Sequence, residues 1–154
     1  MLKFVITGNP CSSKNAIRSG ITKQGRNYTY TQANVKVYKD SALKQLNSYI
    51  SDSLYIVTHG KSPKYILNDD NGIFYHIALP IKDYVQVSFI FHCKDERKRD
   101  LINLIQCPAD LLQQAGIIEN DYLIRSLDNS RIADVDKLQP RTEIFITLLN
   151  DKDK

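Results

Sequence analysis

The clearest structural pattern in the chain begins with VQVSFIF over residues 85–91, continues as KDERKR over residues 94–99 and then as DLINLIQ over residues 100–106. Its first part alternates apolar and polar side chains, which is the period of a β-strand with one buried face. Its last part begins an apolar helical pattern that runs to Ala115, and Gly116 is suited to the end of a helix. The stretch therefore predicts a strand that leads through a basic run into a helix.

The same two periodicities continue on both sides of this stretch. Leu2 to Thr7 alternates like a strand, and Thr31 to Ile50 carries an apolar stripe at helical spacing, with Thr31 as its N-terminal cap. Strands are also predicted over residues 123–132 and 142–149. The sequence therefore predicts an α+β fold in a single domain, residues 1–154, with a mixed β-sheet and two main helices.

Several segments leave alternatives open. Residues 9–30 read as a long polar loop, or as a loose hairpin that turns at residues 25–27. Residues 53–80 read as an inserted hairpin, with strands at residues 54–57, 65–67 and 73–79 and a turn at residues 68–72.

The start of the second helix and the C-terminal tail of the chain are predicted as follows. The helix begins near Asp100 or at Asn103, and Pro108 is expected to kink it if it begins early. Residues 150–154 are expected to form a frayed tail.

The composition is ordinary for a globular protein and excludes several classes. The 154 residues are 42% hydrophobic and 25% charged, which is enough apolar material for one core. We find no apolar run of membrane-spanning length and no signal-peptide pattern, so a cytoplasmic protein is expected. Three widely spaced cysteines predict free thiols. The segment after Thr7 lacks the second glycine of a phosphate-binding loop, so nucleotide hydrolysis is excluded.

The net charge of +4 is unevenly distributed along the chain. Residues 1–40 contain seven Lys or Arg and one acid, whereas the remainder contains fourteen bases and sixteen acids. The bases of segment 9–30 are Lys14, Arg18, Lys23 and Arg26. Together with Tyr28 and Tyr30 they are typical of binding to a nucleic-acid backbone with stacking on exposed bases. The alternatives are a solvated basic surface and tyrosines that pack over the core.

A second basic run precedes Asp100, and a polar group that ends in Asp121 follows the helix. Cations hold a polyanion, and carboxylate oxygens hold a hard divalent metal. The structural alternatives are a helix cap for Asp100 and an ordinary turn for Asp121. A helix of 13–15 residues spans about 20–22 Å, and residues 117–121 reach about 17–18 Å. The carboxylates therefore meet within one chain if that segment runs antiparallel to the helix, and otherwise through a partner chain.

These blocks resemble the RusA family of Holliday junction resolvases. In that family a basic run precedes Asp-x-Asp-Asn-x-x-Lys, followed by a helix, Ala-Gly and a closing Asp-Asp; the matching blocks are residues 97–106, 115–116 and 119–121. Residues 10–15 are similar to the family's proline-rich loop after the first strand, and residues 37–40 to the Tyr-Arg-Asp of its first long helix. The departures from the family pattern are Ile102 for the second aspartate, Gln106 for the lysine, and Asn120 for the first residue of the closing pair.

The resemblance implies a homodimer that binds a DNA four-way junction and cleaves it with magnesium, in recombination or repair of a phage or prophage type. It implies that Asp100 and Asp121 are the catalytic residues and the metal ligands. The DNA-binding residues expected from resemblance and charge are Lys14, Arg18, Lys23, Arg26, Arg97, Lys98 and Arg99. The residues expected to supply supporting oxygens are Asn103, Glu119 and Asn120.

Loss of an acid at Ile102 and of a lysine at Gln106 leaves two other functions open. One is a catalytically inactive relative that binds branched DNA or a partner protein without cleaving it. The other is a protein-interaction module that retains only the fold. If the enzyme is active, Asp95 or Glu96 is the candidate to replace the missing carboxylate.

Overall fold

The alternating segments of the sequence pair in one mixed β-sheet of five strands. The computed structural model describes residues 1–12, 14, 17–52, 64–68 and 74–149. In chain order the elements are β1 (Leu2–Thr7), β2 (Ile17–Ile21), β3 (Asn27–Thr31), α1 (Ala33–Asp52), β4 (Lys64–Asn68), β5 (Phe74–Ala78), β6 (Val85–His92), α2 (Leu101–Gln114), β7 (Ile124–Ser126), β8 (Arg131–Ile132) and β9 (Arg141–Leu148).

The five-stranded sheet is built around β9 and β6. β9 lies between β1 and β6 and runs antiparallel to both, whereas β7 and β8 join the other edge of β6 in parallel. Successive side chains of a strand point to opposite faces, so one face of this sheet collects the buried ones. These are Leu2, Phe4 and Ile6 of β1, Val85, Val87, Phe89 and Phe91 of β6, and Thr142, Ile144 and Ile146 of β9.

Both helices bury an apolar side, as the periodicity predicted. On α1, Ala42 and Leu46 are fully buried, the Tyr49 ring meets the Phe4 ring edge-on at 5.7 Å, and the Tyr38 hydroxyl lies 3.3 Å from the Thr142 hydroxyl. On α2 the buried side chains are Leu104, Ile105, Cys107, Pro108, Ala109, Leu111 and Leu112. The predicted α+β fold with a mixed sheet and two helices is confirmed. Among the described residues, no helix is long and apolar enough to cross a membrane.

The first helix begins later than the sequence predicted. Thr31 was expected to cap it, but Thr31 belongs to β3, where it pairs with Ile17 of β2. Instead the carbonyl oxygen of Gln32 accepts hydrogen bonds from the backbone N–H groups of Val35 and Lys36, at 3.1 and 3.0 Å. Strand pairing therefore takes Thr31 out of the capping position and moves the helix start to Ala33.

The second helix begins at the earlier of its two predicted positions. Asp100 is the cap and helix α2 starts at Leu101, with Pro108 in its interior. At the other end, Gly116 has a φ of 69° and its N–H donates to the Gln113 carbonyl, while the N–H of Ile117 donates to the Leu112 carbonyl. This pair of bonds satisfies the last carbonyls and ends the helix, as the glycine predicted.

Two predicted hairpins lie outside the main sheet. The hairpin alternative is confirmed over residues 17–31, where β2 and β3 pair antiparallel, but the turn spans residues 22–26 and begins earlier than the predicted residues 25–27. In segment 53–80, β4 and β5 pair antiparallel, which confirms the predicted strands at residues 65–67 and 73–79 with slightly different bounds. The predicted strand at residues 54–57, the turn residues 69–72 and the tail 150–154 lie outside the described residues.

The single strand predicted over residues 123–132 is wrong. The segment begins with a 3₁₀ turn (Asp121–Leu123), and two short strands follow it, β7 and β8. Between them Asn129 has a φ of 66°, the N–H of Ser130 donates to the Leu127 carbonyl, and Asp128 bonds to the Ser126 hydroxyl. Asn tolerates the left-handed conformation, so a local turn interrupts the strand.

Candidate nucleic-acid interface

Asp100 is held by the first turn of α2. Its backbone is extended, and its Oδ1 atom accepts a hydrogen bond from the backbone N–H of Asn103 at 3.3 Å. The structural alternative for this residue, helix capping, is therefore observed. A carboxylate has a second oxygen, however, so capping through Oδ1 is compatible with binding a cation through Oδ2. Asp100 is also an exposed residue.

A polar groove of about 290 Å³ lies at this end of α2. The side chains that line it come from the loop after β1, from the basic run and from the first turn of α2: Pro10, Ser12, Lys14, Lys98, Arg99, Asp100, Asn103 and Leu104. At roughly 30 Å³ per water molecule, the groove holds about ten waters, which is room for a hydrated ion beside a phosphate group. The groove combines cations with one carboxylate.

The loop after β1 is fixed against the basic run by hydrogen bonds that connect distant parts of the chain. The Asn9 side-chain oxygen accepts from the Lys94 backbone N–H at 2.9 Å, and the Gly8 N–H donates to the Pro140 carbonyl at 2.8 Å. The Ser12 hydroxyl oxygen accepts from the Lys14 N–H at 3.1 Å. These bonds hold the loop in place, so Lys14 lines the same groove as Lys98.

Asp95 binds two of the three consecutive bases at residues 97–99. Its Oδ2 lies 2.8 Å from Arg97 Nη2, and its Oδ1 lies 2.6 Å from Arg99 Nη2. Arg99 also donates to the backbone carbonyls of Asp95 and Arg97, both at 2.9 Å, and its side chain is only 14% exposed. Arg99 therefore organises the backbone of the run, whereas Arg97 is 72% exposed and faces solvent.

This contact gives Asp95 a partner other than a metal ion. Hydrogen bonds from Arg97 and then Arg99 lower the pKa of the Asp95 carboxyl well below its usual range. A carboxylate held by two guanidinium groups has its oxygens committed to nitrogen donors. The expectation that Asp95 replaces the missing metal ligand is therefore not supported by the geometry.

We expect the pKa of Asp95 to return toward the usual aspartate range when Arg99 is changed to Gln, because the change removes one of its two guanidinium donors. The pKa of Asp95 is lower in the folded protein than in the unfolded chain, where it is about 4. The ionised carboxylate therefore stabilises the fold at pH values above about 4, and this contribution is lost as pH falls through the folded-state pKa. An acid titration of the Asp95 carboxyl carbon by NMR measures this. Arg125→Gln is the control that leaves Asp95 unchanged, and an unshifted midpoint in Arg99→Gln would contradict the contact.

Asp121 lies near the other end of α2. Its backbone N–H donates to the side-chain oxygen of Gln113 at 3.2 Å, and Gln113 is the penultimate residue of the helix. The rise from Asp100 to Gln113 is about 20 Å. The antiparallel return that would bring Asp121 to the N-terminal half of the helix is therefore not observed.

The neighbours of Asp121 have structural partners in the same region. The Asn120 side chain caps the 3₁₀ turn by accepting from the Tyr122 N–H at 3.1 Å. Glu119 donates its backbone N–H to the Ile81 carbonyl, and its carboxylate lies 3.3 Å from the Lys82 ammonium. Asn103, by contrast, lines the groove with Asp100. Of the three predicted supporting residues, the structure brings only Asn103 to Asp100.

The oxygens at the groove suit a hard cation that keeps most of its water. The lining residues whose side chains carry oxygen are Asp100, Asn103 and Ser12. Within the described ranges, His, Cys, Asp and Glu form no group of three or more that could hold a metal ion. Magnesium is commonly bound through one or two carboxylates and several waters, so the donor chemistry fits magnesium with Asp100 as its charged ligand.

The remaining predicted DNA-binding residues lie on the hairpin β2–β3. Arg18 is on β2, and its Nε lies 2.6 Å from the Gln32 side-chain oxygen when that amide is oriented to accept. Lys23 and Arg26 flank the turn, where the Thr22 N–H donates to the Arg26 carbonyl at 2.9 Å. All three bases are exposed. Three of the predicted bases therefore line the groove and three lie on the hairpin, whereas Arg97 pairs with Asp95 and faces solvent.

Sequence reasoning missed the groove walls and the role of Asp95. Ser12 and Pro10 were part of the family-like loop, but nothing in their spacing placed them against α2. Asp95, Arg97 and Arg99 alternate along the chain, and that spacing was a usable signal for an ion-pair cluster. Ile102, where the resemblance expects an acid, is 60% exposed in the first turn of α2.

The chain was compared with protein-family models and with curated proteins. No family model matches the sequence, and the curated proteins include no significant match. The resemblance to the RusA family therefore rests on the sequence blocks alone.

Proposed function

We propose that this chain is a magnesium-dependent endonuclease that cleaves branched DNA, acting on four-way junctions as a homodimer in the cytoplasm. The observation that carries the proposal is the groove at the N-terminus of α2, where Lys14, Lys98 and Arg99 surround Asp100. The N-terminus of a helix adds a positive partial charge to those of the side chains. A phosphate and a hard cation can be held together in such a groove.

The residues of the groove divide the work between binding and chemistry. Lys14 and Lys98 neutralise phosphate charge, which contributes affinity without sequence information. Arg99 shapes the run that carries Lys98. Asp100 binds the cation, and its Oδ1 bond to Asn103 fixes the direction of the carboxylate. Magnesium, when bound, lowers the pKa of an attacking water and neutralises charge on the phosphate.

In this proposal, the second carboxylate at the groove is Asp121 of the partner chain in a homodimer. Asp100 and Asp121 lie near opposite ends of α2 within one chain. A partner chain is therefore the route by which Asp121 approaches Asp100. Two chains related by a two-fold axis also match the symmetry of a four-way junction.

The second candidate is a relative that binds branched DNA without cleaving it. Two observations favour this candidate. The described lining of the groove contains one carboxylate, and the position where the resemblance expects a second is Ile102, an exposed apolar residue. It shares the binding residues with the first candidate. The two differ only in whether phosphodiester cleavage follows binding.

Binding is tested through its salt dependence, measured with a labelled four-way junction in calcium. We expect the double variant Lys14→Ala/Lys98→Ala to bind more weakly. The slope of the logarithm of the association constant against the logarithm of the salt concentration is negative, and its magnitude should fall by about two, because each lysine releases about one counterion. The matched control Lys44→Ala/Lys137→Ala removes the same charge from exposed positions outside the groove. Equal slopes for the two double variants would contradict the groove as the phosphate-binding site.

The variant Ile102→Asp is expected to increase magnesium-dependent cleavage at least about tenfold, because it adds a carboxylate beside Asp100. Ile102 is 60% exposed, and an acid in the first turn complements the helix dipole, so stability should change by no more than about 0.5 kcal/mol. Cleavage rates of the wild type, Ile102→Asp and the uncharged control Ile102→Asn are compared. If Ile102→Asn increased the cleavage rate as much as Ile102→Asp, the increase could not come from an added metal ligand.

A further inference from the structure

One face of the hairpin β2–β3 collects its aromatic side chains. In the antiparallel register, Arg18 lies opposite Tyr30 and Gly20 lies opposite Tyr28. Directly opposed residues share a face, and residues two apart on a strand share it as well. Tyr28, Tyr30 and Arg18 therefore lie on the same face of the hairpin.

The two tyrosine rings form an open platform. Their centroids are 5.9 Å apart, with 32° between the ring planes, and each residue is 48% exposed. A Cβ atom at Gly20 would lie only 2.6 Å from Cζ of Tyr28, so the ring of Tyr28 lies across the glycine. A groove of about 580 Å³ adjoins this platform and is lined by residues 19–21 and 27–29. The tyrosines do not pack over the core, because no residue of β2 or β3 is buried.

The charged side chains of the hairpin itself are all basic. Arg18 lies on the same face, and Lys23 and Arg26 flank the turn at the end of the hairpin. Residues 1–39 contain no Asp or Glu, so no acid of this segment offsets these bases. Two exposed rings beside three cations are complementary to a nucleotide, which has an aromatic base and an anionic phosphate.

We infer that the hairpin binds unpaired nucleotides, with a base stacked on Tyr28 and Tyr30 and phosphates held by Arg18, Lys23 and Arg26. The inference rests on the proposed function and narrows its substrate class. Bases inside a continuous duplex are stacked on their neighbours and offer no free face, whereas a branch point with unpaired nucleotides does. The preferred substrate is therefore DNA whose branch point exposes bases, and binding is tolerant of sequence because every base has an aromatic face.

The test uses oligothymidine of about twelve nucleotides as the single-stranded probe, beside a four-way junction with unpaired nucleotides at its centre. The double variant Tyr28→Ala/Tyr30→Ala is compared with Tyr28→Phe/Tyr30→Phe, which keeps the rings. We expect the Ala pair to weaken binding of both probes by about tenfold with an unchanged salt slope, and the Phe pair to bind within about twofold of the wild type. Equal binding by the Ala and Phe pairs would overturn the inference.

A spectroscopic readout identifies stacking directly. The chain contains no tryptophan, so Tyr30→Trp places a single tryptophan on the platform, and its emission is excited at a longer wavelength than that of the tyrosines. Stacking on a thymine base quenches its emission, and an unquenched spectrum at saturating oligothymidine would overturn the inference. Failure of the inference can be distinguished from failure of the proposed function. If the wild type and the Ala pair bind the junction equally well, only the stacking platform is refuted. A wild type that binds oligothymidine but not the junction, together with quenching in Tyr30→Trp, keeps the platform and loses the proposed function.

Discussion

Changing Asp100 to Asn is expected to lower the rate of magnesium-dependent junction cleavage on the order of a thousandfold, while junction binding in calcium stays close to that of the wild type. Among the described residues that line the groove, Asp100 is the one carboxylate, and it lies there with three basic side chains. Losing a metal ligand removes several kcal/mol of transition-state stabilisation, and each 1.4 kcal/mol is a factor of about ten. The measurement is single-turnover cleavage of a labelled junction.

The Asn substitution separates catalysis from folding. Asn is as good a helix cap as Asp, so the bond to the N–H of Asn103 is kept and stability is little changed. Asp110→Asn is the matched control, because Asp110 is a partly exposed carboxylate on the same helix, outside the groove, beside Lys39. A variant Asp100→Asn that cleaves as fast as Asp110→Asn would remove Asp100 from the mechanism.

Changing Phe89 to Ala is expected to lower the free energy of unfolding by about 3–5 kcal/mol, the largest stability effect that we predict. Phe89 is fully buried on β6, between the helices and the sheet, and its ring lies 6.2 Å from that of Phe91. The substitution removes this buried area and leaves a cavity that the surrounding core fills only in part. The midpoint of thermal unfolding should fall by about 6–20 °C for a domain of this size.

The matched control for this prediction is Phe145→Ala. Phe145 is on β9 but points to the other face of the sheet, where it is half-buried and lies 5.7 Å from the Lys3 ammonium. Phe145→Ala should lower the free energy of unfolding much less than Phe89→Ala does, because part of the Phe145 ring stays in contact with water in the folded protein. Equal destabilisation by the two variants would contradict the placement of the core on the face that Phe89 occupies.

The sequence predicted most of the sheet and both helices because their signals are local. Alternation over β1 and β6 and the helical stripe on α1 each reflect one buried face, and Gly116 marks a helix end through its own backbone preference. The errors also have local causes. Thr31 has the chemistry of a cap, but pairing with Ile17 holds it in a strand. Asn129 introduces a left-handed turn that the apolar pattern of residues 123–132 does not reveal.

The candidate site was predicted only in part, because it depends on contacts between distant residues. Lys14 joins Lys98 and Asp100 through the bonds of Asn9 and Gly8 to residues far along the chain. The extended length of residues 117–121 alone would have allowed Asp121 to approach Asp100. Ile117 and Ile118, both fully buried, instead anchor the segment after α2 beside Ile81, so Asp121 stays near Gln113. Extended length sets an upper limit on reach, and buried side chains determine the path.

The most direct test of a junction-cleaving homodimer is cleavage by mixed subunits. Asp100→Asn and Asp121→Asn proteins are assayed separately, as an equimolar mixture after subunit exchange, and beside the wild type. If Asp100 of one chain works with Asp121 of the other, each mixed dimer has one intact site, and the mixture should recover about a quarter of wild-type cleavage. A wild type that does not cleave the junction, or a fully exchanged mixture that stays as inactive as either variant alone, would contradict the account.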